Sequence, residues 1–131
     1  MKITEAQRAH ARERAIFADL EALWSEAAVD NWAGRDGKAL LPGAYWKALD
    51  VLEAVLPIAP SPELTVDNDG EVEMDWLAGP DKLLSLSIAA DGRLTYTFRD
   101  GARAGSVTER FDRGVPPRLA AEIAAVTRKG I

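Results

Sequence analysis

His10 is the one histidine in the chain, and with Glu13 it forms only His-x-x-Glu. Zinc binding on a helix asks for His-Glu-x-x-His, which sets two imidazoles one turn apart on the same side. A nucleophilic triad would need distant Ser and Asp side chains to converge on this single ring. A surface histidine is the simpler reading. The densest acidic run is Asp67, Asp69, Glu71, Glu73 and Asp75. Hard cations are held by several such oxygens meeting at one point, and paired carboxylates do acid–base work when they share a cleft. Alternation along a strand instead sets Glu71, Glu73 and Asp75 on a flat surface, roughly 7 Å from one to the next. With Arg93, Arg99 and Arg110 as neighbours on that surface, the run pairs charges across strands. With those arginines elsewhere, it becomes an acidic docking strip. Neither arrangement requires a metal or a cofactor, and none is expected.

Gly34-x-x-Gly37-Lys38 has part of a phosphate-loop pattern. It lacks the full Gly-x-x-x-x-Gly-Lys-Ser/Thr run and follows a helical segment rather than a strand, so nucleotide binding is not expected. The four tryptophans divide by context. Trp24 and Trp76 fall in apolar series and are expected in the core, while Trp46 lies at the edge of a helical stripe beside Tyr45. Trp32 stands in a glycine-bearing loop, where a large aromatic either plugs a seam between layers or anchors a partner.

The elements that position these residues follow from hydrophobic periodicity. Val72, Met74 and Trp76 alternate with acids. Leu84, Leu86 and Ile88 alternate with Leu83, Ser85 and Ser87, and Leu94, Tyr96 and Phe98 alternate with Arg93, Thr95 and Thr97. Such period-two patterning makes a sheet with one apolar and one wet face. A short strand over 63–67 precedes these three and another near Ser106–Phe111 follows. The turns are Asn68-Asp69-Gly70, Ala78-Gly79-Pro80-Asp81, Asp91-Gly92 and Asp100-Gly101, and short reversals make an antiparallel meander the economical topology. A first helix starts at Thr4, whose hydroxyl forms a capping box with Gln7, and carries Ile16, Phe17, Leu20, Leu23, Trp24 and Ala27 on one stripe. Its early part, Arg8 to Arg14, is polar. A second helix runs from Pro42 to Pro57 with Tyr45, Ala48, Leu49, Leu52, Val55 and Leu56 on one side. Pro116-Pro117 opens a third, with Leu119, Ile123 and Val126. The expected fold is a single α+β domain spanning 1–131: two N-terminal helices, an antiparallel meander of about five strands and a C-terminal helix.

Composition sets the outer limits. The 131 residues contain no cysteine, which excludes disulfides, thiolate metal sites and cysteine nucleophiles. The net charge of −5 argues against direct binding to a phosphate backbone, which needs a basic surface. The charged start at Met1-Lys2-Ile3-Thr4-Glu5 and the lack of a long apolar run point to a cytoplasmic protein with no membrane contact.

With its loop, turns and strands placed, the sequence resembles a widespread family of small uncharacterised bacterial proteins, often encoded on mobile elements. The resemblance spans about residues 31–126. It rests on Asn31-Trp32-Ala33-Gly34, Pro42-Gly43-Ala44-Tyr45 with Ala48 and Leu49, Leu56-Pro57, Asp69 to Trp76, Ser85-Leu86-Ser87-Ile88, Asp91 to Tyr96 and Thr108-Glu109-Arg110-Phe111 with Val115-Pro116. The family shows Trp-Asp-Gly in the loop. Here Ala33 follows Trp32, and the aspartate of the segment is Asp36. The resemblance implies the fold and a bacterial or mobile-element setting but no activity. Together with the acidic balance and the missing catalytic constellation, it suggests a non-catalytic protein-binding module. Trp32, Asp36, Glu71, Glu73 and Asp75 are its candidate contact residues. Two alternatives stand beside it. One is an acidic inhibitor of a host defence nuclease complex, anti-CRISPR-like or imitating nucleic acid. The other is a small enzyme gathering carboxylates with His10 or Tyr96. Self-association through a sheet edge or the first helix is a further option.

Overall fold

The computed structural model describes residues 4–27 and 39–127, the side chains of Ala9 and His10 excepted. Trp32, Asp36, Gly34, Gly37 and Lys38 lie outside the described residues. Helix α1 (Glu5–Glu26) opens with the expected reciprocal cap. The Gln7 backbone N–H donates to Thr4 Oγ1 at 3.1 Å, and the Thr4 N–H donates to Gln7 Oε1 at 2.9 Å. Ile16, Leu20, Leu23 and Ala27 are buried at three- and four-residue spacing, whereas the described side chains before Ile16 are exposed. Trp24 departs from its expected core position and is 40% exposed. The buried stripe is only one side chain wide, so Trp24 falls on its shoulder, with its ring 5.2 Å from that of Tyr45.

Helix α2 (Pro42–Val55) begins on a proline and buries Ala44, Ala48, Val51, Leu52 and Val55. Tyr45, Leu49 and Leu56 are only partly buried, because the small residues make the closest approach and leave the larger ones at the flank. Five strands follow: β1 (Glu63–Val66), β2 (Val72–Leu77), β3 (Lys82–Ile88), β4 (Arg93–Asp100) and β5 (Arg103–Arg110). They form one sheet in the order β1-β2-β3-β4-β5, every pair antiparallel. β5 starts three residues earlier than expected because Gly101 and Ala102 alone make the turn, pairing Asp100 with Arg103. Helix α3 (Pro117–Thr127) closes the fold, which is α+β as its patterning predicts.

All three helices lie on one side of the sheet. α1 packs beside β1 and α2, α2 against β2 and β3, and α3 across β2, β3 and β4. Beneath them Val72, Met74, Trp76, Leu84, Leu86, Ile88, Leu94, Tyr96 and Phe98 are each no more than 7% exposed. Register aligns them in rows, such as Met74 with Leu86 and Leu86 with Tyr96. Burying one such side chain is worth about 1.5–3 kcal/mol, so the inner face dominates the energetics.

The turn between β1 and β2 is held against the start of α2. The Leu41 N–H donates to the Gly70 carbonyl at 2.9 Å, and Gly70 has φ +79°. A Cβ on Gly70 would lie 2.3 Å from the Ala39 carbonyl oxygen, so both backbone hand and space require glycine here. Among the described residues no helix is long and apolar enough to cross a membrane.

Candidate functional site

The side of the sheet opposite the helices carries no covering element among the described residues, and its register sorts the side chains into rows. One row runs Glu63, Asp75, Ser85, Thr97, Ser106, and the next Thr65, Glu73, Ser87, Thr95, Thr108. Acids therefore occupy the β1–β2 side, and a ladder of hydroxyls crosses β3 to β5. Arg93 and Arg110 are paired at one end of this face, and Leu83, Arg99 and Ala104 form a row at the other.

The acidic residues are anchored from the turn upward. Asp67 Oδ1 accepts the backbone N–H groups of Asp69 at 2.9 Å and Glu71 at 3.0 Å, and its Oδ2 accepts from Ser87 Oγ at 3.3 Å. Glu71 meets Arg93 at 3.5 Å, a cross-strand pair of the kind the sequence suggests. Burial and then Asp67 push the Glu71 carboxyl above the usual range, while Arg93 opposes them. Arg110 turns instead to Asp91, at 3.8 Å.

Glu73 and Asp75 pair with no arginine among the described residues. Both reach one hydroxyl: Ser85 Oγ lies 3.0 Å from Glu73 Oε1 and 2.6 Å from Asp75 Oδ1. A serine carries one hydroxyl proton and donates to one acceptor at a time. The Ser85 proton therefore serves only one of the two carboxylates at a time. Neither makes a salt bridge among the described residues. Burial and then the adjacent Asp75 carboxylate hold Glu73 above the usual carboxyl range, with the Ser85 hydroxyl pulling the other way. The expectation that alternation keeps these acids apart thus holds for their α-carbons and fails for their oxygens. No group of three or more acidic or histidine side chains among the described residues is arranged to hold a metal ion.

At the far end of the same face Leu83, Thr97, Arg99 and Ala104 help to line an open depression of about 380 Å³, large enough for a partner's side chain. On the helical side the exposed Trp24 and Trp46 flank the partly buried Tyr45, whose ring is 5.3 Å from that of Trp46. Trp76 sits in the core as expected, its Nε1 donating to the Pro60 carbonyl at 2.8 Å.

A second polar cluster, missed by sequence reasoning, lies where α3 meets β4 and β5. Arg103 Nη2 donates to both carboxylate oxygens of the buried Glu122, at 2.9 and 3.1 Å, and its guanidinium stands 5.2 Å over the Phe98 ring. The Tyr96 hydroxyl donates to Glu109 Oε2 at 3.1 Å. Burial, reinforced by Glu109, pushes the Tyr96 phenol well above its ordinary value, so it keeps its proton and acts as a donor. Glu122 had a readable signal, since its position three residues after Leu119 places it on the buried side of α3.

No family model, no curated protein and no solved structure matches this chain.

Proposed function

We propose that this chain is a non-catalytic protein-binding module of a bacterial or mobile-element system, and that it engages its partner through the helix-free face of the sheet. The observation that carries this reading is the convergence of Glu73 and Asp75 on Ser85, with neither in a salt bridge among the described residues. Crowded carboxylates at a surface are relieved when a partner supplies Lys or Arg, so the strip favours a basic protein segment. The hydroxyl ladder suits the same task. Ser and Thr have short side chains, whose ordering on docking costs less than that of Lys, Glu or Gln. Arg93, Arg99 and Arg110 share this face, so its charge is mixed and favours a protein contact over imitation of nucleic acid.

The test uses the chain immobilised and exposed to extract of its source cells, beside a Glu73→Gln/Asp75→Asn double variant of similar shape. A partner retained at low salt, released at high salt and lost with the double variant supports the reading. Capture that is indifferent to salt and to both substitutions would remove it.

A further inference from the structure

The two edges of the sheet are unequal. β1 has four residues and lies beside α1, whereas β5 has eight, six of them exposed. Sheet edges are ordinarily guarded against pairing by Pro, by a bulge or by charged side chains, inward-pointing ones included. β5 reads Arg103-Ala-Gly-Ser-Val-Thr-Glu-Arg110, with neither Pro nor Lys; its charges on the helical side, Arg103 and Glu109, are of opposite sign, and its register against β4 is continuous. The Phe111 N–H donates toward the β4 side, to the Gly92 carbonyl at 2.9 Å. Backbone groups alternate along a strand, so those of Arg103, Gly105, Val107 and Glu109 also face β4. Those of Ala104, Ser106, Thr108 and Arg110 face outward.

We propose that this outer edge pairs antiparallel with β5 of a second copy, about a two-fold axis at Ser106. That register sets Arg103 opposite Glu109 of the second copy, twice by symmetry, and Val107 opposite Gly105, on the side bearing Phe98. Glu109 accepts the Tyr96 hydroxyl but makes no salt bridge among the described residues, and the Arg103 side chain is 56% exposed. Glu109 thus gains a cation, while Arg103 keeps its bond to Glu122 and turns its exposed flank to the second copy. Moving the axis to lie between Ser106 and Val107 opposes Arg103 with Arg110 and sets the apolar face of one copy against the polar face of the other. Moving it to Val107 sets Glu109 against Gly105 and leaves Arg103 beyond the partner strand. Only the Ser106 axis satisfies both charge and facing. The result is one continuous ten-stranded sheet with all helices on one side and an acidic strip toward each outer edge.

Sedimentation equilibrium of the full chain across a range of concentrations tests this directly. The expected result is a reversible dimer. Ser106→Pro removes an outward N–H that β4 does not use and should abolish it. Glu109→Gln keeps an acceptor for Tyr96 while deleting the charge, and should raise the dimer Kd about tenfold. Circular dichroism and thermal unfolding establish that each variant is folded. A chain monomeric at every concentration, or a dimer that neither substitution weakens, overturns the proposal. If Ser106→Pro fails to fold, Glu109→Gln decides alone.

Discussion

Asp75 and Ser85 stand opposite each other on β2 and β3 with their side-chain oxygens 2.6 Å apart. That contact engages the one proton Glu73 also seeks, and it makes the acidic strip sensitive to pH. The Glu73 carboxyl in the folded chain titrates above its ordinary value of 4.5. A carboxyl raised on folding stabilises the fold fully below its unfolded pKa, and this contribution is lost as pH rises through the folded value. Glu73→Gln, which is always neutral, should therefore be more stable than the parent at neutral pH, by less than about 1 kcal/mol because water screens the site. The difference should vanish by about pH 3, well below the unfolded value, where both side chains are uncharged. Urea unfolding at the two pH values measures it, and an advantage that persists in acid would contradict the assignment.

Two turn glycines with positive φ separate backbone hand from crowding. Gly101 (φ +65°) has open space where a Cβ would go, whereas at Gly70 that atom would strike the Ala39 carbonyl. Gly101→Ala should cost about 1 kcal/mol, the penalty for a left-handed residue. Gly70→Ala should cost about 2–3 kcal/mol, since it must also displace the chain before α2. Equal losses in denaturant unfolding would mean that the turn does not press on that segment.

The Arg103–Glu122 pair should respond unequally to loss of each charge. Arg103→Ala leaves a buried carboxylate without its donor and should cost about 1–2 kcal/mol, moderated by the solvent that reaches Arg103. Glu122→Gln still offers an acceptor and should cost less. The reverse order in denaturant unfolding would indicate that Glu122 is held by something other than Arg103.

The architecture was legible because each strand from β2 to β4 repeats an apolar residue every second position. Val72, Met74 and Trp76 could hardly share one face in any other conformation. Helical stripes are read less sharply: adjacent residues differ by about 100° around the axis, which is enough to carry Trp24 out of the core while Leu23 stays in. The acidic run was visible, but its chemistry was not. Ser85 meets both acids only because the β2–β3 register sets it opposite Asp75 and because a glutamate is long enough to reach diagonally. Neither fact is written in local spacing. Arg103 escaped notice for a similar reason, since the start of β5 depends on how few residues turn the chain after Asp100.

The sheet's central cover comes last in the chain. α3 supplies Leu119, Ile123 and Val126 above β2, β3 and β4, yet it is translated after all five strands. Until α3 has been made, the apolar surface of β2, β3 and β4 lacks that cover. Exposed apolar surface of this kind makes a folding intermediate prone to aggregate, so α3 closes the most vulnerable interval of folding.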